Sequence, residues 1–403
     1  MSEWKEIKLE DYILDIAAGP FGSNLKVECF VPSGFPIIDG ANLKEVKVTD
    51  NITKFVTEEK ARSLYRSIAK RNDVVVTISG NVGQISYIPL DSKYEEYLVS
   101  QRQFRVTFDT GEIYVPYLVY YFHTIEGQHK ILSFANQTGV PALAQPLKNF
   151  KNITILLPDI KEQKRIATIL STLDDKIENN HRVNKNLEHQ AQALFKSWFV
   201  DFEPFKDGEF VESELGMIPK GWRVGTIEEL LDIKYGKDHK KLREGNIPVY
   251  GSGGLMRRVD TALYTGESVL IPRKGTLNNV MYVNEKFWTV DTMFYSIPKV
   301  ENVALYTYIY LCNKDLRSMN AGSAVPSMTT SILNSMAIVI PPSEIFADYN
   351  SIVYTLYRKI KYTEIESQKL ATIRDTLLPK LMSGELKVPN TDLINEMLEK
   401  GIR

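Results

Sequence analysis

The sequence predicts an α+β chain in which two mixed α/β domains alternate with two long helices. The helices are expected to pair as an antiparallel coiled coil, giving a pseudo-two-fold internal repeat. Three observations carry this prediction: the chain is written twice, each half opens with strand-like segments, and each half ends in a long apolar heptad pattern.

The duplication is legible residue by residue. Trp4, Leu14-Asp15-Ile16 and Gly19 recur as Trp222, Leu231-Asp232-Ile233 and Gly236. Val74-Val75-Val76, Gly80 and Tyr87 recur as Val269-Leu270-Ile271, Gly275 and Tyr282; Val140-Pro141 recurs as Val325-Pro326. Leu173, Ile177, Leu187 and Leu194 then return at one constant offset as Leu356, Ile360, Leu370 and Leu377. Solenoid repeats run about 20–50 residues, far shorter than this period. The unit that is duplicated is a domain plus a helix, and two similar but non-identical readers in one chain suit an extended, asymmetric target.

Residues 4–158 have strand character. Val74-Val75-Val76-Thr77-Ile78 and Phe104-Arg105-Val106-Thr107-Phe108 are rich in β-branched and aromatic residues, which fit a pleated, half-buried surface. Turn residues such as Ser79-Gly80-Asn81 bound them. A short helix is expected over Tyr117–His123.

The period changes after Pro158-Asp159, where Asp159 suits an N-cap. Ile166, Leu170, Leu173, Ile177, Asn180, Asn184, Leu187, Ala191, Leu194 and Trp198 follow at alternating steps of four and three, the seam of a coiled coil. An unbroken helix from Ile160 to Phe199 would be about 60 Å long at about 1.5 Å per residue. The second seam is Tyr349, Val353, Leu356, Ile360, Thr363, Ser367, Leu370, Arg374, Leu377 and Leu381, opening after Pro341-Pro342 and closing at Gly384. Both seams are polar in the middle. Such residues either fix register at some cost in stability or are solvated or turned to another subunit. The expected organisation is therefore domain 1–158, central helix 159–203, linker 204–219, domain 220–342, second helix 343–386 and tail 387–403. Pro204, Gly208, Gly216 and Pro219 give the linker its composition, and the tail has room for a short helix after Pro389.

Composition bounds the function. The chain has 403 residues, 43% hydrophobic and 25% charged, which is ordinary for a soluble globular protein of two or three domains. No apolar run reaches the roughly 18 residues of a bilayer span, and Met1–Glu6 lacks the profile of a secretion signal. Cys29 and Cys312 lie in different halves and read as reduced thiols of a cytoplasmic protein. The net charge of −1 argues against a simple basic DNA binder. A DNA-binding reading needs the cations segregated to one face, or partners that share the grip.

No catalytic signature survives inspection. There is no phosphate-binding Gly-x-x-x-x-Gly-Lys-Ser/Thr loop. The histidines His123, His129, His181, His189 and His239 are scattered without metal-ligand spacing. Ile340-Pro341-Pro342-Ser343 lacks the polar first and aromatic last residue of an amino-methylating turn. The carboxylates of Asp159 and Glu162 share one helix start instead of the two strands a nuclease site needs. Gly251-Ser252-Gly253-Gly254 lacks dinucleotide-binding spacing.

Positive charge, by contrast, clusters. Lys234-Tyr235-Gly236-Lys237-Asp238-His239-Lys240-Lys241-Leu242-Arg243 carries five cations around a tyrosine, and Arg257-Arg258 and Arg273-Lys274-Gly275-Thr276 follow. In the first half, Arg102 and Arg105 flank Gln101 and Gln103, and Lys70-Arg71 precedes Ser79-Gly80-Asn81. Arg, Lys, Gln and Asn read base edges bidentately, and the cations also grip phosphates. A lone basic run more often marks a solvated face; recurrence in loops of both halves favours nucleic acid.

The run Leu194-Phe195-Lys196-Ser197-Trp198-Phe199-Val200-Asp201-Phe202-Glu203-Pro204-Phe205, leading into Ser213-Glu214-Leu215-Gly216-Met217-Ile218-Pro219-Lys220-Gly221-Trp222, resembles the central region of the DNA-specificity subunit of Type I restriction-modification enzymes. Gly19-Pro20-Phe21-Gly22-Ser23-Asn24-Leu25 also resembles a segment of that family's first recognition domain. The resemblance covers nearly the whole chain. It implies two target-recognition domains that each read half of a split double-stranded DNA sequence, with the paired helices as a ruler for the unread gap. It also implies one copy of this chain per complex, non-catalytic in itself. Two modification subunits would carry S-adenosylmethionine and the adenine methylation, and restriction subunits would carry ATP, Mg and DNA translocation. Base-reading residues do not transfer within this family. They are placed by physics at Ser79, Asn81, Gln101, Arg102, Gln103 and Arg105 in the first half, and at Lys237, His239, Lys240, Arg243, Arg257, Arg258, Arg273, Lys274 and Thr276 in the second. Because Arg273-Lys274-Gly275-Thr276 answers to the cation-free Ile78-Ser79-Gly80-Asn81, the two halves should read different sequences. The rival readings are a fused methyltransferase or nuclease, for which the chain leaves no room, a specificity subunit of a methylation-only system, and a degenerate coiled-coil scaffold.

Overall fold

Both heptad stretches form unbroken helices of 40 residues in the computed structural model, the central helix Ile160–Phe199 and the distal helix Ser343–Met382. The structure describes residues 4–136, 141–319 and 327–388. Val140, Val325-Pro326 and the tail from Pro389 onward lie outside the described residues. Asp159 starts the central helix as expected, its Oδ1 accepting from the Glu162 amide at 2.9 Å and satisfying one of the orphan donors of the first turn.

The chain divides into two compact units, Met1–Ile177 with Ser367–Arg403, and Glu178–Glu366. Each takes part of both long helices. In the first unit the start of the central helix meets the end of the distal one: Ile166, Ala167 and Leu170 share a core with Leu381 and Met382. Arg374 donates to Asp174 Oδ1 at 2.6 Å, and the Tyr120 hydroxyl donates to the other Asp174 oxygen at 2.5 Å. In the second unit the end of the central helix meets the start of the distal one, with Ala191, Phe195 and Phe199 packed with Phe346, Tyr349 and Val353. Start against end in both units is the antiparallel pairing that the matched seams predict.

Every apolar seam residue is buried or half-buried: Ile166, Leu170, Leu173, Ile177, Leu187, Leu194 and Trp198 on one helix, Val353, Leu356, Ile360, Leu370, Leu377 and Leu381 on the other. The polar middle is buried too. Asn180 Nδ2 donates to Glu366 Oε2 at 2.8 Å, and the Thr363 hydroxyl donates to Asn184 Oδ1. These groups bond across the seam, so only one helix register satisfies them.

The first unit holds the antiparallel sheet Ile13–Ala18, Gln103–Phe108, Val74–Thr77, Ile85–Tyr87, in that order. A second sheet, ordered Phe55–Val56, Phe35–Ile38, Glu96–Val99, Ile68–Lys70, contains one parallel pair, in which Ile38 faces Val99. The second unit reproduces the first of these sheets with Leu231–Tyr235, Met293–Pro298, Tyr264–Pro272 and Met281–Thr289. It extends it by Glu244–Gly251, parallel to Met281–Thr289, and Gly254–Val259. Val74 opposite Tyr87 corresponds to Val269 opposite Tyr282. The strand that stays continuous over Met281–Thr289 in the second unit is split in the first, where the segment 88–95 separates Ile85–Tyr87 from Glu96–Val99. The short helices Val115–Phe122 and Ala304–Cys312 pack into the respective cores.

Residues 204–219 are more ordered than a linker composition suggests. Phe210–Ser213 and Gly216–Pro219 form a hairpin, with Gly216 at φ +96° supplying the turn. The Trp222 ring meets Phe199, Phe202 and Phe205, and Phe202 meets Phe210, with centroid distances of 4.9–6.0 Å. The aromatic residues of this stretch anchor it to the second unit's core, where Gly and Pro alone would have left it loose.

Candidate nucleic-acid interface

In each unit a glycine seats the loop that follows the first sheet strand. Gly19 donates its amide to the Gln103 carbonyl at 2.8 Å, and a Cβ at Gly19 would stand 1.9 Å from the Ser100 carbonyl oxygen. Gly236 donates to the Met293 carbonyl at 2.9 Å, and its Cβ would stand 2.1 Å from the Val290 carbonyl oxygen. Ser100 and Val290 are themselves equivalent, their amides donating to the Ile38 and Tyr250 carbonyls at 2.9 and 3.1 Å. A second pair of glycines, Gly80 at φ +89° and Gly275 at φ +86°, turns the adjacent loop. The bridges Ser79 to Ala142 and Lys274 to Ser327 match as well. Three loops therefore converge at the same end of the sheet in both units.

In the first unit they enclose a cleft of about 550 Å³. Ser79, Asn81, Gln84, Gln101, Arg102 and Gln103 supply one polar wall; Leu25, Val27, Phe30 and Ile37 supply an apolar one. Gln101, Arg102 and Asn81 are exposed, and the Arg102 guanidinium lies 3.7 Å from where a Cβ on Gly80 would be. Asp39 forms an ion pair with Lys54 at 2.6 Å on the rim. Gln103 is buried, bonded through its amide to Ser100 and Thr77, so it holds the floor and does not reach outward.

In the second unit Arg273 spreads over Tyr235 with 5.2 Å to the ring centroid and donates to the Asp291 carbonyl at 3.1 Å, which fixes a cation whose neighbours Lys274 and Thr276 are exposed. Ser252 closes on this loop, its carbonyl accepting from Asn279 Nδ2 at 2.8 Å. The Trp288 indole donates to the Lys237 carbonyl at 2.9 Å and anchors the loop that carries exposed Lys237 and Lys240 and half-buried His239.

The comparisons with known proteins agree with this repeat. The profile of the Type I restriction modification DNA specificity domain matches residues 1–189 and 219–375, most of the chain. The chain belongs to that family. Similar relatives include the specificity subunit of the Type I restriction enzyme MjaIX of Methanocaldococcus jannaschii, 27% identical over 96% of this chain and 94% of that one. The specificity subunit of the Type I restriction enzyme HindI of Haemophilus influenzae is 23% identical over 96% of this chain and all of that one. The crystal structure of a Type I restriction-modification S subunit from Mycoplasma genitalium shares the fold, with a TM-score of 0.61 at 19% identity over 94% of this chain and 96% of that one. As a specificity subunit the chain is not itself an enzyme; the catalytic activities lie in partner subunits. Among the described residues no helix is long and apolar enough to cross a membrane.

The geometry of this specificity subunit sorts the residues chosen from sequence. Ser79, Asn81, Gln101 and Arg102 come together on the first cleft, and Lys237, His239, Lys240, Arg273, Lys274 and Thr276 lie on the matching loops of the second unit. Arg105 is a correction. It sits inside the sheet, two residues further along the strand than Gln103, buried and with its guanidinium bonded to Asp15 at 2.6 Å and to the Arg66 carbonyl at 2.9 Å. Arg257 and Arg258 donate to the carbonyls of Leu242 and Asn246 at 2.7 and 2.8 Å and so brace the basic loop, Arg257 half-buried and Arg258 exposed. Arg243 is exposed and forms a surface ion pair with Asp260 at 3.2 Å. Gln84 and the apolar wall of the first cleft were missed. Their one sequence signal was the paired glycines Gly19 and Gly236, which mark the loop as a place of close approach.

Proposed function

We propose that this specificity subunit reads a split, asymmetric double-stranded DNA sequence, one half-site through each unit. In this reading it works as one copy in a cytoplasmic complex with two modification subunits and with restriction subunits. The observation that carries it is the convergence, in both units, of the same three loops bearing amides in one case and cations in the other. Residues 1–158 and 220–342 are the reading domains. Asn81, Gln101 and Arg102 face one half-site, and Lys237, Arg273 and Lys274 the other. Amides suit adenine edges and cations suit guanine edges and phosphates, so the half-sites differ in base composition. The near-neutral net charge of the chain is compatible with DNA binding if the partners supply part of the phosphate grip. S-adenosylmethionine, ATP and Mg belong to those partners, and the length of the two helices sets the unread gap.

The test is a methylome map of a methylation-free host that expresses the chain with its neighbouring modification subunit. The expected result is a split motif with modified adenines on both strands. An assembled complex supplied with S-adenosylmethionine that modifies nothing would leave a scaffold without DNA readout.

A further inference from the structure

Phe21 is 83% exposed, yet it is not on a loose tip. Its loop is fixed at one end by Gly19 beneath the Ser100 carbonyl and at the other by buried Leu25. The Asn24 amide donates to the Phe21 carbonyl at 2.8 Å and closes the turn between them. Pro20, just before it, is buried and restricts the backbone further. Single exposed apolar residues are common on protein surfaces. This one is held rigidly beside groups that suit base edges: a Cβ on the next residue, Gly22, would stand 3.1 Å from Gln101 Oε1. An amide suits the N6 and N7 edge of adenine, and the feature its paired thymine offers in the same groove is a C5 methyl, for which an aromatic ring is a fitting partner. Two residues beyond the matching glycine of the second unit stands Asp238, which offers no such surface.

We propose that Phe21 is a specificity-determining residue that packs against a thymine methyl in the half-site read by the first unit, next to Gln101. The inference rests on the DNA-reading assignment above. It predicts that the thymine of an A·T pair in that half-site is read through its methyl group by this contact, beside the adenine edge that suits Gln101, and that the second unit has no counterpart to it.

The experiment uses the complex with its modification subunits and duplexes carrying the mapped motif. Thymines of the first half-site are replaced one at a time by deoxyuridine, which removes only the methyl group. At one position the wild type should bind about fourfold more weakly, the contribution of about one buried methyl-sized group. Phe21→Ala should show that loss on the thymine duplex and no further loss on the deoxyuridine duplex, while Phe21→Leu should keep part of the preference. A half-site without thymine, a wild type indifferent to every replacement, or a Phe21→Ala penalty equal on both duplexes would overturn the proposal. Loss of the modification subunits from the Phe21→Ala complex would also overturn it and assign the ring to a protein contact. A wild-type complex that cannot tell its motif from a scrambled duplex would instead remove the DNA-reading assignment itself.

Discussion

Gly19→Ala tests how tightly the fold and the reading loops are joined. The added Cβ would lie 1.9 Å from the Ser100 carbonyl oxygen, 2.7 Å from its carbon and 3.1 Å from the Gln103 carbonyl oxygen. All three atoms are backbone, so no side chain can swing away. To reach even the 3.0 Å below which real Cβ contacts are essentially never seen, the strand end carrying Ser100 must retreat by about 1 Å, an overpacking that costs about 1–3 kcal/mol. Gln101 and Arg102 lie on that strand end and move with it. A loss near 2 kcal/mol lowers the melting temperature of a unit of this size by about 4–8 °C. Under the proposed DNA-reading role, displaced Gln101 and Arg102 also forfeit base contacts worth about 1–3 kcal/mol each. Calorimetry on the subunit and a methylome map of the host should therefore show a lower Tm and a motif whose first half is relaxed or lost. Gly22→Ala is the control for stability, because its Cβ would approach only the Gln101 side chain, at 3.1 Å, which can rotate. A Gly19→Ala protein with wild-type Tm and an unchanged motif would refute the argument that this close approach positions the loops.

Three further outcomes are expected. Arg273→Ala should reduce methylation at the cognate motif about tenfold or relax one position of the second half-site, because the cation held on Tyr235 is lost; in vitro methylation of matched and single-mismatch duplexes measures this. Thr363→Val should destabilise the second unit by about 1–3 kcal/mol because it strands the buried Asn184 Oδ1, whereas Asn184→Leu leaves the Thr363 hydroxyl the Lys359 and Ile360 carbonyls and should cost less; the pair together should cost less than the sum, which a double-mutant cycle in denaturant decides. His123 is half-buried, its Nε2–H donating to the Ile85 carbonyl at 2.8 Å, and desolvation of the ring holds its pKa below the usual imidazole value. The folded pKa lies below the unfolded one, so its contribution is complete above the ordinary histidine pKa of about 6.5 and declines as the pH falls below it. Tm measured from pH 8 to 5 should drop more steeply for wild type than for His123→Gln.

The duplication, the two long helices and their antiparallel match were legible because they rest on periodicity, which is a local property of the chain. Heptad spacing puts Ile166, Leu170 and Leu173 on one helix face whatever lies opposite, and a second heptad run of equal length offers a partner. The convergence of the loops was only half legible. Gly19 and Gly236 were legible only as matched positions of the repeat; the carbonyls they clear belong to residues about 80 and 54 positions away along the chain. The fate of each arginine was decided by tertiary structure alone. A sequence shows the charge of Arg102, Arg105, Arg257 and Arg273 equally, but burial and a facing Asp15 take Arg105 into the sheet. Arg257 and Arg273 each donate to one backbone carbonyl, and Tyr235 in addition carries the Arg273 guanidinium on its ring. Charge is a property of the residue, whereas its availability depends on what the fold brings within about 3 Å of it.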